Sequence, residues 1–134
     1  MAYADETIAV ITIACEAENQ PHNAKVGVAA TILNRLRDGR WGKSAAAVCL
    51  QRLQFSEWND DRPDNANLVR VAVKPADDPV IVDCLAAWHE ALVGADPTNG
   101  ATHFYADDIP APNWTVGATQ SARIGAINFF SNVR

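Results

Sequence analysis

The chain has 134 residues, 49% of them hydrophobic and 20% charged, with a net charge of −5 and a pI near 5.0. That length predicts one domain, residues 1–134, and the composition is that of a soluble globular chain rather than a disordered or fibrous one. The acidic balance offers no basic patch, so no nucleic acid is expected as a partner; no apolar stretch approaches the ~20 residues that span a bilayer, so no membrane insertion is expected either.

The first helix is predicted from Asp5 to about Glu18, with Asp5 or Thr7 as cap, and its nearly all-round apolar run (Ile8-Ala9-Val10-Ile11-Thr12-Ile13-Ala14-Cys15) suits a central position. Asn19-Gln20-Pro21 breaks it. A second helix runs from about Asn23 to Asp38, with Val26, Ala29, Ala30, Leu33 and Leu36 on one stripe, and Gly39 ends it. Ser44 caps a short helix to about Leu50, Gln51 to Pro63 reads as irregular, and Asn65 to Val73 as a short helix. Asp78 then caps an amphipathic helix with Pro79 at its first position, ending near Gly94; Val80, Asp83, Ala87 and Ala91 share a row, with Cys84, Trp88 and Val93 beside it. After the turn cluster Asp96-Pro97-Thr98-Asn99-Gly100, strands are predicted at Thr102–Tyr105 and Ile124–Phe130, joined by a loop holding Trp114. The fold class is therefore α+β, mainly α, with a small antiparallel element near the C-terminus.

Cys15, Cys49 and Cys84 lack metal-type spacing and are expected as buried thiols, one bridge staying open if the protein works outside a cell. Asp5 and Glu6 precede the apolar run with no basic stretch or cleavage site, so no signal peptide is expected. There is no nucleotide-type glycine loop, His-Glu-x-x-His, paired CxxC or Gly-x-Ser-x-Gly, and His22, His89 and His103 lie far apart; neither metal nor cofactor is expected.

Two features carry chemistry. Glu16 and Glu18 interrupt an apolar helix end, and a carboxyl that loses hydration there is held toward its protonated form, as the general acid of a glycosidase requires. The irregular segments collect aromatic and amide side chains (Gln54, Phe55, Trp58, Asn99, His103, Tyr105, Trp114), the residue types that hold sugars. Strand alternation puts Phe104 on the core side and His103 with Tyr105 on the other, where they face either a groove or solvent.

These residues form a pattern. Cys15-Glu16-Ala17-Glu18-Asn19-Gln20-Pro21, continued by Lys25 through Leu33-Asn34-Arg35, resembles the N-terminal block of the SleB/CwlJ-type cell-wall hydrolases, approximately Ala-Glu-Ala-x-Gly-Glu-Pro and then Val-Ala-x-Val-x-Leu-Asn-Arg. Gln54-Phe55-Ser56, Thr98-Asn99-Gly100-Ala101-Thr102-His103-Phe104-Tyr105, and Trp114 with Ile124-Gly125 through Phe129-Phe130 are similar to three further blocks in the same order. The chain departs from the pattern at Asn19-Gln20, where the family has Gly-Glu, and at Ala126-Ile127, where it often has Asn-His.

The resemblance implies a lysozyme-like, lytic-transglycosylase-related domain that cuts peptidoglycan glycan strands between N-acetylmuramic acid and N-acetylglucosamine. Glu16 would be the catalytic acid, with Gln54, Phe55, Trp58, Asn99, His103 and Tyr105 as candidate substrate contacts. A single Glu suits lytic transglycosylation, in which it protonates the glycosidic oxygen and then takes the proton of the muramyl C6 hydroxyl as a 1,6-anhydro ring closes. A muramidase-type hydrolase would need a second carboxylate, for which Glu18, Glu57, Asp107 and Asp108 are the candidates. The biological expectation is a monomeric, phage-type endolysin, made in the cytoplasm and acting on the wall after a holin opens the way without binding it directly. A non-catalytic peptidoglycan-binding module and a structural virion protein are the rival readings.

Overall fold

In the computed structural model, residues 3–51 and 65–134 are described, and among them five helices precede three strands. The helices are α1 (Tyr3–Ala17), α2 (His22–Asp38), α3 (Ala45–Leu50), α4 (Asn65–Ala72) and α5 (Pro79–Leu92). The strands β1 (His103–Ala106), β2 (Thr119–Ile124) and β3 (Ile127–Ser131) form one antiparallel sheet in the order β1-β3-β2. This is the mainly α, α+β class that the sequence predicts.

The local signals act where the sequence puts them. The Ser44 hydroxyl accepts from the Ala47 amide (3.1 Å) to start α3, and Asp78 Oδ1 accepts from the Val80 amide (2.9 Å) before Pro79 opens α5. Gly39 closes α2 in the left-handed region at φ 89°, its amide bonded to the Arg35 carbonyl. Asp5 differs from its expected role. Helix α1 begins before it, and its carboxylate accepts from the Ala46 amide (2.8 Å), so it supports the start of α3 instead of its own helix.

Helix α1 packs against all four other helices, while the α2–α5 interface is the most extensive in the fold. The single stripe expected on α2 is too narrow: Ala24 through Leu33 are buried without interruption, because the sheet closes its remaining side. There Phe129 of β3 comes so close that a Cβ on Gly27 would lie 2.7 Å from its ring. On α5 the buried row is Cys84, Ala87, Trp88 and Ala91; Val93 is exposed, and Asp83 turns from the expected apolar row toward Lys25 and His22.

The sheet corrects the strand assignment. Ile124 and Ile127 pair across a two-residue turn at Gly125-Ala126, so Ile124 ends β2 and does not begin the last strand. Gly125 adopts φ 57°, which a side chain would strain, as the hairpin turn requires. Thr119–Ile124 is an edge strand with a register irregularity at Gln120/Ala122, where the sequence places Thr119–Arg123 in the loop and only Ile124 in a strand. All three cysteines are thiols, Cys49 and Cys84 buried, and burial pushes Cys84 up to about 12. Among the described residues, no helix is long and apolar enough to cross a membrane.

Candidate active site

Glu16 is the next-to-last residue of α1 and half-buried, at the point where the apolar helix meets the loop to α2. Its electrostatic neighbour is Arg35 of α2, which is only 3% exposed. Burial pushes the Arg35 guanidinium down to about 10, opposed by the acidic groups beside it, Cys49 and Glu16. The same side chain donates through Nε to the Thr102 carbonyl (2.5 Å), immediately before β1, and its Cζ stands 5.3 Å from the centre of the Trp41 ring.

Asn34, next to Arg35, completes the fastening. Its Nδ2 donates to Asp96 Oδ2 (3.0 Å) and to the Ala101 carbonyl (2.9 Å). Asp96 also accepts from the Thr98 amide (2.8 Å), the Thr98 hydroxyl (2.6 Å) and the Gly100 amide (3.0 Å). Burial works against its charge, but these hydrogen bonds outweigh that and hold its carboxyl below the usual range. Two sequence blocks more than sixty residues apart, Leu33-Asn34-Arg35 and Thr98 through Thr102, are thus one hydrogen-bonded unit that sets where β1 starts.

From that start β1 presents its aromatic face. His103 lies 5.4 Å from Trp41 and 5.0 Å from Trp114, ring centre to ring centre; Tyr105 is 6.1 Å from Trp114 and stacks on Phe130 at 5.7 Å. Trp114 in turn meets Phe130 edge-on at 5.3 Å. His103 and Tyr105 therefore share one half-buried aromatic wall, and Phe104 packs on Phe129 in the core on the other face. Burial, with the charges of Arg35 and Arg40, pushes His103 down to about 4. At neutral pH it is an uncharged ring, with the Thr102 hydroxyl 3.0 Å from its Nδ1. Asn99 stands apart in the turn at φ 58°, its amide donating to the Ser121 carbonyl of β2 (3.2 Å), and so fastens the turn to the sheet edge. Gln54, Phe55, Trp58 and Glu57 lie outside the described residues.

Two of the four second-acid candidates have other engagements. Glu18 is paired with Arg70 through both carboxylate oxygens. Asp107 accepts from Arg123 and from Asn128 Nδ2 (2.6 Å), while Asp108 is exposed. Gln20, where the family pattern has an acid, accepts the Ala126 amide on its Oε1 (2.9 Å). The two places where the chain departs from that pattern are thus in direct contact. Among the described residues, no group of three His, Cys, Asp or Glu side chains is arranged to hold a metal ion. Sequence reasoning missed Arg35 and Trp41 as framing residues; Arg35 stood in the block Leu33-Asn34-Arg35 with no role assigned to it.

Comparison with known proteins bears on this arrangement. The family model described as cell wall hydrolase matches residues 19–130, beginning three positions after Glu16. A spore cortex-lytic enzyme of Halalkalibacterium halodurans is 30% identical over 129 residues, covering 92% of this chain and 34% of the relative. The chain spans about a third of the length of the curated relatives it matches. The catalytic domain of the germination-specific lytic transglycosylase SleB from Bacillus anthracis superposes with a TM-score of 0.78 at 21% identity, covering 98% of this chain and 97% of that one. The catalytic domain of the Bacillus cereus SleB protein gives 0.77 at 22% identity, covering 97% and 91%. The fold is that of the SleB catalytic domains, and the chain belongs to the cell wall hydrolase family of the SleB/CwlJ type.

Proposed function

We propose that the chain cleaves the glycan strands of bacterial peptidoglycan between N-acetylmuramic acid and N-acetylglucosamine, as a lytic transglycosylase with Glu16 as its acid and base. One observation carries the reading: a carboxyl at the end of a buried helix, beside the buried Arg35 that also anchors the aromatic wall of His103, Tyr105, Trp41 and Trp114. Aromatic faces and an uncharged imidazole suit a strand of neutral sugars. Glu16 would protonate the departing glycosidic oxygen, and the resulting carboxylate would take the C6 hydroxyl proton of the muramyl residue as its oxygen closes on C1. The Arg35 charge favours the carboxylate that the first half of the reaction leaves behind.

Engagement of Glu18 with Arg70 and of Asp107 with Arg123 and Asn128 supports the one-acid route over a hydrolase, which needs a second carboxylate. Asn99, His103 and Tyr105, with Gln54, Phe55 and Trp58 from the remaining segment, are proposed to hold the glycan. The setting proposed is that of a monomeric phage-type endolysin, made in the cytoplasm and reaching the wall after a holin opens the way. Digestion of purified peptidoglycan in ¹⁸O-labelled water, read by mass spectrometry, tests the chemistry. Unlabelled 1,6-anhydromuramyl ends are expected. Labelled reducing muramyl ends would mean a hydrolase, and new amino groups without new sugar ends would overturn glycan cleavage altogether.

A further inference from the structure

A helix commonly stops at a glycine or at a cation in its own last turn, and α1, which carries Glu16, has neither. The residues that follow it are Glu18-Asn19-Gln20-Pro21. Backbone bonds close the turn from within: the Glu18 amide donates to the Ala14 carbonyl (3.1 Å) and the Gln20 amide to the Ala17 carbonyl (3.0 Å). Cations from other elements fasten it. Exposed Arg70 of α4 pairs with Glu18 on the solvent side, while Lys25, in the first turn of α2, works from the buried side at 6% exposure.

The Lys25 Nζ donates to the Gln20 carbonyl (2.9 Å) and to Asp83 Oδ2 of α5 (2.8 Å), and its backbone amide donates to the Pro21 carbonyl (3.3 Å). Gln20, the residue so held, is also the contact with the sheet. Its Oε1 accepts the Ala126 amide (2.9 Å), and a Cβ on Gly125 would lie 2.5 Å from that oxygen and 2.8 Å from Pro21 Cδ. The turn after Glu16 is therefore seated against the β2–β3 hairpin with no space for a side chain between them. From there β3 continues to Phe130, on which Tyr105 of the aromatic wall stacks. One buried ammonium thus stands where the ends of α1 and α2 meet α5, and it holds the residue that touches the sheet.

Stability alone does not account for burying this charge. An ion pair taken out of water gains little over an apolar side chain of the same shape, because desolvation offsets the attraction. What an ammonium does, and a methionine of similar length does not, is hold a carbonyl oxygen at a set distance. We propose that Lys25 is a positioning residue for the reaction: it fixes the turn after α1, so that Glu16 keeps one place relative to the sheet that bears the aromatic wall. The assignment rests on the reading of Glu16 as acid and base. Lys25 acts through Gln20 and the end of the helix, without touching the glycan.

Lys25→Met and Asp83→Asn test this as a pair. The first removes the donor, whereas the second keeps an acceptor for Lys25 and spares its bond to Gln20. Amide hydrogen exchange reads the brace without turnover. In Lys25→Met the Glu18 and Gln20 amides should exchange about tenfold faster relative to Ile13 in the middle of α1, and in Asp83→Asn that ratio should hold. On solubilised glycan strands, well below the melting temperature, Lys25→Met should lower kcat about tenfold with KM within about twofold, while Asp83→Asn keeps the parental kcat. Lys25→Gln, one bond short of the Gln20 carbonyl, carries the same expectation if the methionine protein does not fold. A folded Lys25→Met protein with the parental kcat or with exchange unmoved would overturn the inference, and so would equal losses in Asp83→Asn. Faster exchange at Glu18 and Gln20 in a protein that leaves glycan strands intact would keep the brace and refute the proposed activity. Strand cleavage with kcat and exchange alike unmoved in Lys25→Met would do the reverse.

Discussion

Glu16 and Arg35 act on each other from two helices, one half-buried and the other almost wholly so. A buried guanidinium is costly unless its charge is answered, and the groups that answer it here include Cys49 and Glu16, the second of them proposed to move the proton. Glu16→Gln keeps the shape and hydrogen-bonding capacity of the side chain but can neither give nor take that proton. It should lower the rate of wall clearing by about 10²–10⁴-fold with the fold intact by circular dichroism, whereas Glu18→Gln, which only loosens Arg70, should cost far less. A folded Glu16→Gln protein that clears walls at the parental rate would remove the assignment. The position of Glu16 at the end of a buried helix was legible in the sequence, because an acid interrupting an apolar run is a local event. Arg35 was not, because what gives it meaning is the Thr102 carbonyl, 67 positions away.

Among the elements, the helices announced themselves through caps that work within a single turn: Ser44, Asp78 with Pro79, and Gly39. Strand β2 did not, since Thr-Gln-Ser-Ala-Arg-Ile lies on a sheet edge, mostly out of the core, and carries little of the alternation that betrays a half-buried strand. The burial of α2 was likewise hidden, because a stripe describes contact with one neighbour and this helix has neighbours on every side. Its tightest contact gives a prediction. A methyl group on Gly27 would meet the Phe129 ring at 2.7 Å and the Thr98 methyl at 3.1 Å, so Gly27→Ala should destabilise the fold by about 1–3 kcal/mol through overpacking, measured by urea unfolding. An unchanged or higher midpoint would show that the sheet can move away from α2.

For the molecule as a whole, the α2–α5 interface carries a charge cluster that joins His22 to residues 61 and 68 positions away. His22 at the start of α2 meets Glu90 through Nε2 and Asp83 through Nδ1 (2.5 Å), and buried Lys25 bonds the same Asp83 (2.8 Å). The hydrogen bond to Glu90 raises the imidazole above its ordinary 6.5 against the pull of burial, and the hydrogen bond to Asp83 adds to the rise. A raised value in the folded state means that the protonated form is bound more tightly there, so this stabilisation is fully present below about pH 6.5 and is lost as pH rises through the folded value. The melting temperature should accordingly fall as pH rises above about 6.5, and His22→Asn should flatten that fall. Because His22 and both acids are more than a third exposed, solvent screening keeps the effect modest.

Gln20 reaches across 106 positions to hold the Ala126 amide, and β3, which follows, is both the centre of the sheet and the strand that covers α2. The loop that follows Glu16 is therefore tied to the hairpin between β2 and β3, and a force that displaces that hairpin is handed on to the end of α1 through one amide hydrogen bond.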